Sequence, residues 1–151
     1  MRFKQIRNIL DQVREFHGQL VEYYDGLSDE AAQMRVKMLL DYLSSHEKNL
    51  QASLAVYEEG APQVLLDTWV DCRHCEEMIA TCEQTPITPE LSLDGVTEMA
   101  MDVDQCLINF YRAVVENAES QMVREVFRNL IVMEEGELRK LVLSAQQAID
   151  F

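Results

Sequence analysis

The chain has 151 residues, enough for one domain of ordinary size with a sizeable core. It contains only five glycines and three prolines, and its short strand-like runs lie inside segments with helical spacing, which argues against a β-rich fold. The 27 acidic and 13 basic residues give a formal net charge of −14, which repels phosphate backbones and anionic lipid headgroups. We therefore expect neither nucleic acid nor a membrane as a partner.

The N-terminus and the cysteines bear on the compartment. Residues Met1 to Lys4 lead directly into a charged amphipathic run, and no stretch approaches the length of a transmembrane helix, so we expect a cytoplasmic protein. In a reducing compartment the four cysteines would be free thiols. Cys72, Cys75 and Cys82 have the spacing of one helix face, which is more typical of buried core residues than of a zinc site.

Two long amphipathic helices are predicted in the first part of the chain, over residues 3–28 and 32–59. In both, apolar residues interrupted by single histidines recur every three or four positions and form a core seam. The seams contain Phe3, Ile6, Leu10, Val13, His17, Leu20, Tyr24 and Leu27, and then Val36, Leu39, Leu43, His46, Leu50, Leu54 and Tyr57. The second helix is expected to end where Gly60 is followed by Pro62.

Residues 60–93 are expected to form a long, partly helical crossover. Helical spacing extends from Pro62 to Gln84, with Trp69 as a core anchor, and the breaker-rich segment 85–89 closes the connection. This connection is far longer than a hairpin turn, so the helices on its two sides are expected to form separate hairpins.

A second helical pair is predicted over residues 94–149. Its seams contain Val96, Ala100, Val103, Leu107, Phe110 and Val114, and then Val123, Phe127, Leu130, Glu134, Glu137 and Leu141. The whole chain, 1–151, is therefore predicted to be a single all-α domain, a four-helix bundle of two helical hairpins, 3–59 and 94–149, joined by the crossover 60–93.

The two predicted hairpins also resemble each other in sequence. The first contains Glu22-Tyr23-Tyr24 followed by Gln33-Met34, and the second contains Asn109-Phe110-Tyr111 followed by Gln121-Met122. A duplicated helical hairpin would explain both this match and the crossover between the halves.

Five polar residues interrupt the apolar seams: His17, His46, Asp104, Glu134 and Glu137. The first four lie at similar distances along their helices from the predicted turns, so they would share one layer of the bundle. Asp104 has apolar neighbours one turn away on both sides, and an ionised carboxylate buried in such surroundings needs a partner. The layer is therefore a candidate cation site.

The third and fourth predicted helices resemble those of rubrerythrin-like proteins, in the ferritin-like superfamily. The likeness rests on the Phe110-Tyr111 pair, which follows the Val103-Asp104 acid position by seven residues, and on the run 134–141. This resemblance implies a ferritin-like bundle with an iron or manganese site between the four helices.

In the second half of the chain, the resemblance implies specific roles for three acids. Asp104 would stand for a terminal Glu and Glu134 for a bridging Glu, whereas Glu137 occupies a position where the family has His. The register of the fourth helix leaves open whether Glu134 or Glu137 is the inward ligand.

In the first half, His17 would replace a Glu, and His46 would keep the family's His. Leu43 falls where the second bridging Glu is expected, and a leucine cannot hold two metal ions together. The resemblance therefore implies an altered ligand set, which puts oxygen or peroxide chemistry at a full two-metal centre in question.

The expected function is that of a ferritin-like metal-binding protein with an atypical iron or manganese site, related to redox or peroxide chemistry. The expected ligands are His17, His46, Asp104, Glu134 and Glu137, since imidazoles with carboxylates suit non-haem iron. The sequence names no substrate and leaves open whether the protein is an enzyme. The alternative is a non-catalytic bundle that has lost its metal site and serves as an interaction or scaffolding module.

The last expectation concerns assembly. Two helices of the second hairpin carry apolar rows beyond the core seam: Met101, Ile108, Tyr111 and Val115 on the third, and Ile131, Val132 and Val142 on the fourth. Rows this broad should be covered, and symmetric pairing is the commonest solution. The sequence therefore predicts a homodimer that buries part of the second hairpin.

Overall fold

The computed structural model describes residues 3–73, 75–84 and 90–150 of the chain. In chain order the elements are β1 (Phe3–Gln5), α1 (Ile6–Glu30), α2 (Met34–Gly60), α3 (Gln63–Leu66), β2 (Trp69–Asp71), α4 (Cys75–Gln84), α5 (Leu93–Asn117) and α6 (Gln121–Asp150). The described residues are mostly helical, as an all-α protein requires. The predicted breaker segment 85–89 and the side chain of Cys75 lie outside the described part.

The four long helices form two antiparallel pairs. α1 packs along α2, and α5 packs along α6, with three-residue turns at 31–33 and 118–120. Most apolar side chains of the predicted seams face one common core and supply the buried surface. The two outermost members, Phe3 and Tyr57, are exposed, so their assignment to the core seams is wrong. At the start of α5, the Ser92 hydroxyl accepts a hydrogen bond from the Gly95 N–H at 3.0 Å and caps the helix.

α2 runs antiparallel to α6 and therefore parallel to α5. Tyr42 and Lys140 line the same cavity between α2 and α6, whereas Tyr57 and Val126 line the neighbouring one. Since α5 and α6 are themselves antiparallel, α2 and α5 point the same way. The chain must return along the length of the molecule between these two helices, and the crossover makes this return.

The crossover is less helical than predicted. Residues 69–71 form β2, which pairs antiparallel with β1 in the register Phe3↔Asp71, so the first three residues of the predicted first helix are a strand. Trp69 is 58% exposed, whereas the adjacent Val70 is buried. The prediction of Trp69 as a core anchor is therefore wrong, because neighbouring strand residues point to opposite faces.

A disulfide joins the crossover to α5. Cys82 of α4 is bonded to Cys106 of α5, with a Cα–Cα distance of 5.6 Å. The prediction of free thiols is wrong for these two residues and for Cys72, which is also disulfide-bonded. Helical spacing within α4 explained the burial of Cys82, but it carried no information about a partner on another helix.

The apolar row predicted on the third helix is covered within one chain. Ile108 and Tyr111 are fully buried, and α4 packs against α5. On α6, Val132 and Val142 remain exposed. The homodimer stays a prediction, and only the α6 row still supports it. Among the described helices, none combines the length and the apolar character needed to cross a bilayer.

Candidate metal centre

One histidine or acidic side chain from each long helix is buried in the core. These are His17 from α1, Glu47 from α2, Asp104 from α5 and Glu134 from α6, and none is more than 5% exposed. Each lies near the middle of its helix, so the four helices bring three acids and one imidazole together. We call these four residues the core layer.

His17 connects two of the acids in the core layer. Its Nδ1 is hydrogen-bonded to Oε2 of Glu47, and its Nε2 lies 3.5 Å from Oε1 of Glu134. Nε2 has no hydrogen-bond partner in the described part of the chain, and neither has Oε2 of Glu134. The layer thus contains a buried nitrogen and a buried oxygen that are available to bind something further.

Burial dominates the electrostatics of the core layer. Burial, with the charge of Glu137 as a second cause, raises the pKa of Glu47 to about 8. Burial also raises the pKa of Glu134 to about 8, although the neighbouring His17 opposes the rise. The pKa of Asp104 is raised well above its ordinary value, first by burial and then by the charge of Glu47. Without a cation, these acids retain protons near neutral pH.

The His17 ring is neutral in these surroundings, because burial lowers its pKa more than Glu134 raises it. A neutral ring can either donate its Nδ1 proton to ionised Glu47 or accept a proton from protonated Glu47. A cation at Nε2 favours the first arrangement, in which Nε2 carries a lone pair. Metal-binding histidines commonly donate their second ring N–H to a carboxylate in this way.

Two buried tyrosines flank the core layer. Tyr111 donates a hydrogen bond of 3.4 Å to Oε1 of Glu134. Tyr24 occupies the corresponding position in the first hairpin: the Tyr23–Tyr24 rings lie 6.1 Å apart at 59°, and the Phe110–Tyr111 rings lie 6.0 Å apart at 53°. The matched ring geometry is what an internal repeat of the hairpin would produce.

A second histidine–glutamate pair lies outside the core layer. Nδ1 of His46 is 3.1 Å from Oε2 of Glu137, and their side chains are 13% and 18% exposed. Burial lowers the pKa of His46, with Glu137 opposing the shift. Tyr42 stacks on the His46 ring, and Lys140 lies 3.5 Å from Glu137. We call His46 and Glu137 the outer pair.

Three of the five predicted ligands, His17, Asp104 and Glu134, lie in the core layer, and His46 and Glu137 lie beside it. In the register of α6, Glu134 is the inward residue. Sequence reasoning missed Glu47. Leu43 and Leu50 are seven residues apart. His46 lies three residues after Leu43 and Glu47 lies four residues after it, so the helical spacing is compatible with either residue on the core face.

The side chains as they stand do not form a finished metal site. Among the described residues, no group of three or more His, Cys, Asp or Glu is arranged so that it could hold a metal ion. The donor chemistry nevertheless fits one. Two ligand atoms about 2.1 Å from one tetrahedral ion stand roughly 3.4 Å apart, close to the 3.5 Å between Nε2 of His17 and Oε1 of Glu134.

Known proteins provide no relative from which a function could be transferred. No protein-family model, curated protein or solved structure matches this chain. Any functional assignment therefore depends on the chemistry of the core layer itself.

Proposed function

We propose that the protein is a ferritin-like helical bundle that binds an iron or manganese ion in the core layer. The observation that carries this proposal is the His17 imidazole, fully buried, held by Glu47 at Nδ1 and facing the Glu134 carboxylate with an unbonded Nε2. Carboxylates and imidazole are ligands that suit both metals. A divalent cation would also compensate the three buried acids, whose ionisation is otherwise unfavourable.

The roles within the core layer follow from its contacts. Nε2 of His17 and the carboxylate of Glu134 would bind the ion directly, with Asp104 as a further carboxylate from α5. Glu47 would hold the His17 ring in place and fix its tautomer. Tyr111, by donating to Oε1 of Glu134, would orient that carboxylate toward the ion.

A bound iron or manganese ion would supply one-electron chemistry, which supports a role in redox reactions or peroxide handling. The chain contributes a water-poor core, two carboxylates and one oriented imidazole. Leu43 is buried among apolar residues, at the position where the resemblance calls for a bridging acid. The proposal is therefore one ion per chain, not a carboxylate-bridged pair.

Thermal melting with and without metal tests the proposal. If the core layer binds Mn²⁺, an excess of about 100 times Kd stabilises the folded state by about 2.7 kcal/mol, which corresponds to a rise in Tm of roughly 5–10 °C. The Glu134→Gln variant should lose this rise. The Glu135→Gln variant should keep it, because Glu135 is the adjacent acid and lies on the surface near Arg112. An unchanged wild-type Tm with Mn²⁺ and with Fe²⁺ would contradict metal binding.

A second candidate function is a bundle without metal that serves as an interaction or scaffolding module. The buried Leu43 and the lack of a finished metal-holding group in the described residues favour it. In that case the double variant His17→Leu, His46→Leu should be as stable as the wild type or more stable, because apolar packing replaces buried polar groups. If the Tm of this variant is lower than that of the wild type only when metal is present, the result would argue against a bundle without metal.

A further inference from the structure

A cavity that opens to solvent lies between α2 and α6, with a volume of about 320 Å³. Its wall includes the polar side chains of Ser45, His46, Asn49, Glu137 and Lys140. This volume is in the range of sites for small ligands and is ample for a hydrated cation. Both members of the outer pair therefore face a space that solutes can enter.

The outer pair also borders the core layer. The His46 ring interacts electrostatically with His17, and the Glu137 carboxylate interacts with Glu47 and Asp104. His46 adjoins Glu47 in α2, Glu137 follows Glu134 by one turn of α6, and both line the cavity, so the outer pair joins the wall of the cavity to the core layer.

The outer pair places a ring nitrogen and a carboxylate oxygen at the spacing of two ligands. Nδ1 of His46 lies 3.1 Å from Oε2 of Glu137, close to the roughly 3.0 Å between neighbouring ligands about 2.1 Å from one octahedral ion. In a neutral ring that carries its proton on Nε2, Nδ1 offers a lone pair, and an imidazole with a carboxylate is a donor set for a divalent transition metal. The net charge of −14 also concentrates cations around the protein.

We propose that the cavity is the entrance for the metal ion, and that His46 and Glu137 form an outer site that the ion occupies before it reaches His17 and Glu134. This inference rests on the proposed function. Lys140 lies 3.5 Å from Glu137, and its side chain is 68% exposed. Its ammonium group pairs with the carboxylate that the ion would bind. The exposed lysine side chain can move into solvent when the ion replaces it.

The test is the rate at which the metal-free protein takes up Mn²⁺ from a metal indicator dye in a stopped-flow instrument. His46→Gln should slow uptake by about tenfold or more, while the final Kd stays within about threefold of the wild type. Lys140→Gln should speed uptake. The matched control is Lys48→Gln, since Lys48 is an exposed lysine of α2 that does not line the cavity. It removes the same charge and should change the rate much less.

The other outcomes are distinguishable. If His46→Gln takes up Mn²⁺ at the wild-type rate and with the wild-type affinity, the proposal that the cavity is the entrance is wrong, whereas the proposed function is unaffected. If His46→Gln weakened the final affinity as strongly as Glu134→Gln, His46 would be a ligand of the core site itself, and the outer site would be wrong. A wild-type protein that takes up no Mn²⁺ would overturn the proposed function, and the entrance with it.

Discussion

At the scale of single residues, Glu47 determines which nitrogen of His17 is available. Its carboxylate is bonded to Nδ1, which leaves Nε2 to face Glu134. Replacing Glu47 with Gln keeps the size of the side chain but removes the charge that favours a protonated Nδ1. We expect Glu47→Gln to weaken Mn²⁺ binding by about 10- to 100-fold, measured by competition with a chelator.

The control for this prediction lies on the same helix. Glu59 is an exposed residue near the end of α2, and Glu59→Gln removes the same charge at a distance from the core layer. It should bind Mn²⁺ within about twofold of the wild type. Equal affinities of the Glu47 and Glu59 variants would show that Glu47 does not orient His17.

The same residues show why a site is harder to predict than a fold. His17 and Asp104 could be predicted because each interrupts an apolar seam at an unambiguous position. Glu134 could be predicted only together with Glu137, since the apolar spacing left the register of the fourth helix open. On α2, however, one heptad from Leu43 to Leu50 accommodates either His46 or Glu47 on the core face. A rotation of the helix by a fraction of a turn decides between them, and packing against α1, α5 and α6 fixes that rotation.

At the scale of elements, the Cys82–Cys106 bond fixes α4 against α5. It closes a loop with a sequence separation of 24 residues, for which the chain-entropy relation gives about 3.5 kcal/mol of stabilisation. The double variant Cys82→Ala, Cys106→Ala should therefore lose about 3.5 kcal/mol in urea unfolding. Such bonds are rare in reducing compartments, so the cytoplasmic location stays a prediction.

Mass spectrometry of the wild-type protein after alkylation under non-reducing conditions provides the check on this bond. The peptides containing Cys82 and Cys106 should be recovered linked. Recovery of both as alkylated thiols, together with wild-type stability of the double alanine variant, would mean that α4 is held by packing alone.

The four long helices could be predicted to within a few residues because their apolar spacing is a local property of the sequence. The crossover could not. β2 exists because residues 69–71 pair with residues 3–5 at the start of the chain, and no local pattern records such a distant partner. The exposure of Trp69 follows from that pairing, since it sets the strand face on which the indole lies.

At the scale of the whole molecule, the predicted homodimer would have to use α6. Val132, Val142 and Leu143 are exposed there, whereas Ile108 of α5 is buried. Light scattering at micromolar concentration should give a mass near twice 17.5 kDa, and Val132→Glu should shift it toward the monomer. A wild-type mass near 17.5 kDa would show that the α6 row is left in solvent.

The core layer should also make the stability of the metal-free protein depend on pH. The folded pKa values of Glu47 and Glu134, about 8, exceed the ordinary value of 4.5. The folded state therefore holds more protons, and the stabilisation present below pH 4.5 is lost as the pH rises through 8. The pKa of His17 is lowered from 6.5, so His17 changes the stability only below pH 6.5. The pH dependence above 6.5 therefore comes from the buried acids.

Urea unfolding of metal-free protein should accordingly show a free energy of unfolding that falls between about pH 6.5 and 8.5. Glu134→Gln should reduce this fall, because it removes one of the buried titrating acids. Saturating Mn²⁺ should reduce it as well, since the ion binds the ionised acids. A free energy that stays constant or rises over this range would contradict the burial of protonated acids in the core layer.

The central claim is that the core layer holds a metal ion, and the metal content of the purified protein tests it most directly. Protein made in medium supplemented with iron and manganese, and purified without chelators, should contain about one ion of iron or manganese per chain by mass spectrometry. His17→Ala and Glu134→Ala should lose the ion in parallel, while the control Glu59→Gln retains it. Less than about a tenth of an ion per chain in the wild type, under conditions where the protein is folded, would contradict the claim.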